Sequence, residues 1–300
     1  MRTAAIAAVL AALASAFTFA GPTVVAKVKT GSKPCVPLAA RGSVWVANFG
    51  SSTIARVSPK SNKVTGRVKV SPSPCGLAYG AGSLWVDGYG TNAIERVNPR
   101  TMKVAKRIGV GSQPYDVAFA FGAVWSSDFG SGQVSRIDPR RNRVVRRIPV
   151  DAPTGFAVAG GALWVGAGYG TKIFRIDPKT NRVRAVDVGA AGPHWLGAGP
   201  DGVWVSSVTD GSVVRVDPKT SEVVATLDDV GAMPSDGSVL ADGSVWIPLR
   251  GEDAIVRIDP ETNEVAERVK VGTKPFVVNE GFGDLWVGSF GGDDVWRIRR

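Results

Sequence analysis

Residues 34–70 read PCVPLAARGSVWVANFGSSTIARVSPKSNKVTGRVKV. Four short apolar or alternating runs are separated by Gly, Ser, Asn and Pro, and the pattern recurs to the end of the chain. A Trp stands at 45, 85, 125, 164, 204, 246 and 286, and eleven residues after each comes an Arg: Arg56, Arg96, Arg136, Arg175, Arg215, Arg257 and Arg297. A Pro precedes each Trp by eleven residues, or twelve in one copy: Pro34, Pro74, Pro114, Pro153, Pro193, Pro234 and Pro275. Seven copies at a period of 39 to 42 residues make one repeat array rather than several domains.

Each copy carries four strand signals. A run after the Pro (Val36-Pro37-Leu38-Ala39) leads through a Gly turn to the Trp strand (Ser43 to Ala47). A polar, Gly-rich loop (Asn48-Phe49-Gly50-Ser51) leads to an alternating third strand (Thr53 to Val57), and the fourth runs from Lys63 to Val70. The last two are joined by a turn that reads Asp/Asn-Pro in most copies, such as Asp138-Pro139-Arg140. There the acidic or amide side chain caps local N–H groups while Pro presets φ. Runs this short, β-branched and turn-punctuated are antiparallel strands. Four of them per unit near a period of 40 predict an all-β, seven-bladed β-propeller with four-stranded blades. The last copy stops after its third strand, at Arg300, while Thr23 to Gly31 (TVVAKVKTG) is a spare strand that matches the end of copy six. The N-terminal strand is therefore expected to close the seventh blade.

Segment 1–20, MRTAAIAAVLAALASAFTFA, has a charged start, an Ala/Leu-rich run and small residues, the pattern of a secretory signal peptide. Cleavage is expected after Ala20, with Ala16 the other option, leaving 21–300 as the propeller domain. The protein is expected to be secreted into an extracytoplasmic space, to span no membrane, to be monomeric and to leave nucleic acid alone. The net charge of +10 is unevenly placed: 100–107, 140–147 and 179–184 are basic, whereas 219–229 and 259–268 carry Asp and Glu. Lys and Arg on outer strands discourage edge pairing; the other reading is docking on an anionic cell-envelope polymer.

Residues common to every blade hold the fold, so function is sought where the blades differ. In a propeller the first strand lines the central channel. The residue after each Pro walks around its mouth as Cys35, Cys75, Tyr115, Thr154, His194, Ser235 and Phe276, and the next position gives Val36, Gly76, Asp116, Gly155, Trp195, Asp236 and Val277. The ligand-binding candidates are Tyr115, Asp116, His194, Trp195, Asp236, Arg250 and Phe276, with aromatic faces for stacking and a few polar groups for orientation. Arg250 replaces the aromatic found in the corresponding loop of most blades (Phe49, Tyr89, Phe129, Tyr169, Phe290); those loop aromatics read mainly as packing at the blade tops. His194, the sole His, is the candidate general base or a hydrogen-bonded rim residue. Cys35 and Cys75, the only cysteines, hold equivalent places in adjacent blades. A disulfide is expected if their Cα atoms lie within about 4.4–6.8 Å. The alternatives are free thiols or a metal site with His194, which would be one ligand short of tetrahedral zinc. The residues themselves imply no cofactor.

The unit resembles the YVTN-type propeller repeat, with Trp45-Val46-Ala47-Asn48 in place of Tyr-Val-Thr-Asn and runs such as Ile176-Asp177-Pro178-Lys179-Thr180-Asn181-Arg182-Val183 leading into the fourth strand. It is also similar to the streptogramin B lyase family, whose Gly-Pro-Asp-Gly-x-Trp repeat is matched by Gly199-Pro200-Asp201-Gly202-Val203-Trp204. The latter resemblance implies a magnesium-assisted elimination that opens a cyclic depsipeptide and uses more than one His together with a Glu. This chain has one His, and its blade-six mouth reads Met233-Pro234-Ser235-Asp236, so no catalytic residue is carried over. The Glu/Asn/Asp metal set of gluconolactonase-type propellers is likewise not found. The sequence thus points to a binding protein for a small molecule or peptide at the channel mouth, and secondarily to a lyase-like or lactonase-like enzyme.

Overall fold

The computed structural model describes residues 21–199, 201–240 and 242–300; the expected signal segment lies outside them. The repeat folds as seven four-stranded antiparallel sheets arranged as blades. Blade one runs Pro34–Ala40, Ser43–Asn48, Thr53–Ser58 and Lys63–Lys69, from the channel outward, within a residue or two of the expected bounds. Blade seven is Pro275–Gly281, Asp284–Ser289 and Asp294–Arg299, with Thr23–Lys29 as its outer strand. That closure pairs Thr23 with Arg299 and Lys29 with Asp294, and Lys27 sits over the Trp296 ring. One 3-10 turn, Phe129–Ser131, is the helical structure among the described residues, and no helix there is long and apolar enough to cross a membrane.

The repeated Trp is what joins one blade to the next. All seven indoles are fully buried. Each packs into a cluster drawn from the second and third strands of the following blade: Trp125 with Leu163, Val165 and Ile176, and Trp286 with Val44, Val46, Ala55 and Val57 across the closure. The indole N–H donates to the carbonyl five residues earlier, at 3.0 Å in Trp45, Trp85, Trp125 and Trp286. Where its polar edge is satisfied inside its own blade in this way, the ring is buried without a desolvation penalty; Trp246 is an exception, its N–H buried without a partner. Truncation of one such Trp would cost about 3–5 kcal/mol.

The repeated Arg completes the joint. Its guanidinium lies over its own blade's Trp and reaches the turn between third and fourth strands of the next blade. Arg136 stacks 4.9 Å from the Trp125 centroid and donates to Pro178 O at 2.8 Å and Asn181 Oδ1 at 3.0 Å. Arg96, Arg215 and Arg297 do the same with Pro139/Asn142, Pro260/Asn263 and Pro59/Asn62. The accepting Asn holds a left-handed backbone (φ 50 to 60°), which Asn tolerates better than most residues.

Two copies break this rule at the acceptor. Met102 and Ser221 occupy the Asn position, in the same left-handed conformation. Facing Met102, Arg56 turns back to Thr65 within its own blade and stands 6.0 Å from its Trp. Facing Ser221, Arg175 reaches only Gly160 O at 3.4 Å, its Nε is buried without a partner, and it stands 5.9 Å from Trp164. Arg257 has no such turn to reach, because the outer strand of blade seven is Thr23–Lys29 and no turn joins it to the third, and it pairs with Glu267 instead.

Blade six departs from the expected four equal strands. Its innermost strand shrinks to Ser238–Val239, Pro234 forms an isolated bridge with Leu249, and Asp236 bridges in parallel to Val277 of blade seven. One of the two extra residues that lengthen the Trp204–Trp246 spacing to 42 falls here, between Pro234 and Trp246. The basic segments lie on contiguous blades two to four, where the outer strands Lys103–Gly109, Arg143–Pro149 and Val183–Asp187 are mostly exposed.

Restoring the missing acceptor gives a test. Ser221→Asn should raise unfolding stability by about 0.5–1.5 kcal/mol, the worth of a hydrogen bond to a charged donor at a compatible backbone. In an Arg175→Met background the gain should shrink by at least half. Equal gains in both backgrounds, measured by denaturant titration, would mean that backbone preference and not the Arg contact is responsible.

Candidate functional site

The mouth is shaped by the start of each innermost strand. In blades one, three, four, five and seven the pairing slips between the leading Pro and the second or third residue after it, as between Pro114 and Asp116 or Pro193 and Trp195. A slip of this kind lets neighbouring residues leave strict alternation. Tyr115 and Asp116 consequently both serve the channel: the Tyr115 ring joins the mouth aromatics, while the Asp116 carboxylate accepts the N–H of Val117 at 2.7 Å and of Phe156 in blade four at 3.0 Å. Small residues at the same position make room for the large ones. A Cβ on Gly76 would lie 2.7 Å from Asp116 Oδ1, and one on Gly155 would lie 2.9 Å from the Trp195 ring.

Trp195, expected as a ligand-binding aromatic of the mouth, is a plug, only 4% exposed. From blade five it stacks on Tyr115 of blade three (5.4 Å) and meets Phe276 of blade seven edge-on (5.0 Å). The contacts continue from Phe276 to Phe290 (5.3 Å) and Phe49 (5.5 Å) on one side, and from Tyr115 to Tyr89 (6.3 Å) and Phe129 (5.6 Å) on the other. Tyr169 ends the chain of rings beside Phe129, 71% exposed.

Above the plug lies a cavity of about 270 Å³ lined by Phe49, Cys75, Asp87, Tyr89, Tyr115, Trp195, Arg250, Phe276 and Phe290. Of the residues expected to bind ligand, it gathers Tyr115, Trp195, Arg250 and Phe276. The loop aromatics Phe49, Tyr89 and Phe290, read from sequence mainly as packing, also form its walls. Asp87 escaped the sequence reading altogether. The signal was present: two residues after the Trp, the other blades carry Ala47, Ser127, Gly166, Ser206, Pro248 and Gly288, and a carboxylate in that small-residue position stands out.

Asp116, Asp236 and His194 lie outside the cavity lining. His194 Nδ1 is 3.0 Å from Gly192 O, which fixes that nitrogen as the protonated one. Burial lowers the His194 pKa, the bond to Gly192 opposes this, and the Arg250 charge lowers it further. Cys35 and Cys75 are joined as a disulfide with Cα atoms 5.2 Å apart, and Cys75 forms part of the cavity wall. The bridge ties blades one and two, the interface where Met102 denies Arg56 its contact.

Three carboxyls stand in or just beneath the mouth. Burial pushes Asp87 well above the usual carboxylate range despite N–H donation from Cys75 (2.7 Å) and Gly76 (2.9 Å), and Asp116 adds repulsion. Burial raises Asp236 likewise, again with repulsion from Asp116. Asp116 is raised to about 7, burial outweighing its two N–H bonds. By area Asp116 and Asp236 are only partly exposed, and desolvation by the surrounding blades dominates their titration.

Arg250 holds the same backbone position as the loop aromatics. Its N–H donates to Met233 O as those of Phe49, Phe129 and Phe290 donate to Lys33, Gln113 and Lys274 O. Its guanidinium lies 4.8 Å from the Phe276 centroid and 5.7 Å from that of Phe290. The magnesium implied by the lyase resemblance finds no matching donors: among the described residues no three His, Cys, Asp or Glu side chains converge as a metal site.

No family model matches the chain, and no curated sequence does; the YVTN-type likeness therefore rests on the motif. Among solved structures, virginiamycin B lyase from Staphylococcus aureus superposes with a TM-score of 0.78 at 16% identity, over 91% of this chain and 96% of that one. A catalytically inactive form of that lyase with quinupristin gives 0.79 at 16% identity, over 91% and 96%. The WD40 β-propeller domain of Doa1 gives 0.78 at 15% identity, over 93% and 97%. An enzyme and a WD40 domain fit about equally well, so the likeness establishes the fold alone.

The raised Asp116 gives a pH signature. In the unfolded chain its carboxyl titrates near 4; in the folded protein it titrates at about 7. Between those values the folded state holds more protons, so its contribution to stability is complete below about pH 4 and is lost as pH rises towards about 7. Asp116→Asn should flatten that decline, leaving the part that Asp87 and Asp236 contribute in the same direction. Urea titrations at pH 5 and pH 8 that show the same loss in both proteins would place the proton elsewhere.

Proposed function

We propose that the protein is an exported binding protein that takes a small, flat, mainly apolar ligand, or an aromatic side chain of a peptide, in the cavity at the channel mouth. The observation that carries this reading is the cavity of about 270 Å³ walled by six aromatic rings contributed by five blades. Such walls offer stacking at low entropic cost, because each ring is already held by its neighbours. The variation among blades is concentrated at this mouth, while the Trp–Arg joints are shared. Export is supported by the composition of 1–20 and suits the Cys35–Cys75 bridge.

An elimination or lactone-opening reaction on a cyclic ester is the other reading, favoured by the position of His194, whose lowered pKa keeps it neutral near pH 7. No carboxylate hydrogen-bonds its ring among the described residues, and the donor set for magnesium is not assembled. Turnover of such an ester that is lost in His194→Ala would favour the enzyme over the binding protein. The exposed arginines of blades two to four support docking on an anionic envelope polymer as an additional role of the outer rim; binding that persists in high salt would argue against it.

Calorimetry with neutral planar probes such as indole-3-acetamide tests the binding site. Tyr115→Ala should weaken binding about tenfold, the stacking worth of one ring, while thermal unfolding confirms that the variant is folded. Full affinity in a folded Tyr115→Ala protein would remove the cavity from consideration.

A further inference from the structure

Arg250 is an unusual choice for its position. Four blades place a Phe or Tyr at the equivalent site four residues after the Trp, and blade five places Val208 there. An aromatic would fill the ring of contacts without introducing a charge. Arg250 fills it with a planar cation that stacks on Phe276 and Phe290 much as a ring would, and so keeps the packing. What it adds is five N–H donors in its own plane. Its Nε is buried without a hydrogen-bond partner. Among the described residues its side chain enters no ion pair and makes no hydrogen bond. Burial lowers its pKa, which means that the charge is held at a cost, with Tyr115 the group that offsets part of it.

A half-buried cation with a buried, unpaired donor is unfavourable unless something supplies the acceptor. The nearest acid in the cavity wall does not. Asp87 spends its oxygens on the N–H groups of Cys75 and Gly76, and burial favours its neutral form. Asp116 and Asp236 lie outside the lining, and His194 adds no negative charge. Among the described residues no counter-ion pairs with the guanidinium, and Arg250 lines the cavity.

We infer that the mouth cavity is a site for a small monocarboxylate with a flat apolar body, whose carboxylate pairs with Arg250 and whose body lies between Tyr115, Trp195 and Phe276. This rests on the reading of the cavity as a ligand site and specifies its chemical class. One fork-like donor set matches one carboxylate in a bidentate pair. A dianion is disfavoured, because a second negative charge would find Asp87 and the carboxyls beneath it rather than a second cation. The size of the cavity favours a ligand of one or two fused rings over a long peptide.

Indole-3-acetate and indole-3-acetamide differ in charge and hardly in shape, and the test measures both by calorimetry on the mature protein at pH 7.5. The acid should bind about tenfold or more tightly than the amide. In Arg250→Gln the ratio of acid to amide affinity should fall to about one, whatever the change in absolute affinity. Arg250→Lys, which retains charge without the fork, should keep only part of the preference. Equal binding of acid and amide by the native protein would overturn the Arg250 assignment while leaving the aromatic cavity in place. That is the result expected if Arg250 merely caps the rings as a hydrated cation. Failure of both probes to bind would overturn the cavity reading and the inference with it. The native comparison stands whatever the folding of the variants.

Discussion

Each blade of this ring is held to the next by an indole buried against the neighbouring blade's second and third strands, and at four of the seven junctions an arginine roofs that indole and reaches the neighbour's turn. The joint works because both polar edges are satisfied locally. The indole N–H is bonded within its own blade, and the guanidinium finds a Pro carbonyl and an Asn side chain across the interface. The hydrophobic contribution of the Trp is large and nondirectional. The Arg supplies direction, because its planar fork fits only one placement of the next turn. The size of the channel and the spacing of residues around its mouth follow from seven buried indoles, one per blade, and from closure of the ring with Thr23–Lys29.

A closed ring frees the innermost strands from holding the fold on their own. Their first residues slip out of regular pairing and can carry bulky or charged side chains that a continuous sheet would exclude. Trp195 crosses the channel to rings from two other blades, and the carboxyls beneath it are held where burial keeps them protonated more than is usual. The basic outer sector and the aromatic, largely neutral mouth are thus separate surfaces of one scaffold, with different physical chemistry and different sensitivity to salt.

The fold was legible because it is written seven times. The Trp, Arg and Pro spacings and the unfinished last copy led directly to the blade number and to strand closure by the N-terminus. The role of the Arg was only half legible: its partner lies some 40 residues on in another blade, and the interruption at Met102 and Ser221 acquires meaning only once that contact is seen. The candidate site was legible by position but not by direction. Tyr115, Trp195, Arg250 and Phe276 come together in the cavity wall, whereas Asp116, beside a slip in strand pairing, and Asp236, where the inner strand of blade six is shortened, fall outside it. Asp87 went unnoticed because attention fell on the first strand, although its own column of small residues marked it. The shortened inner strand of blade six reflects an insertion whose effect on pairing no local pattern specified.

The joints around the ring are unequal. Blades one and two lack the Arg contact and have the Cys35–Cys75 bridge; blades six and seven lack it and have the parallel bridge between Asp236 and Val277 together with Arg300 bound to Asp242 and Glu280. Between blades four and five the Arg175 contact is missing, and the junction is held by the apolar cluster around Trp164, the bond from Thr154 Oγ1 to His194 O and the bond from Gly192 N–H to Gly170 O. That junction is held by its inner strands, where Gly155 and Gly166 let blade four close on Trp195 and His194, in place of an outer clasp. Trp195, the channel plug, belongs to that same inner strand of blade five. The seat of the plug against Tyr115 and Phe276 therefore rests on how two neighbouring inner strands meet, so the circumference of the ring, and not only the side chains at the mouth, shapes the cavity.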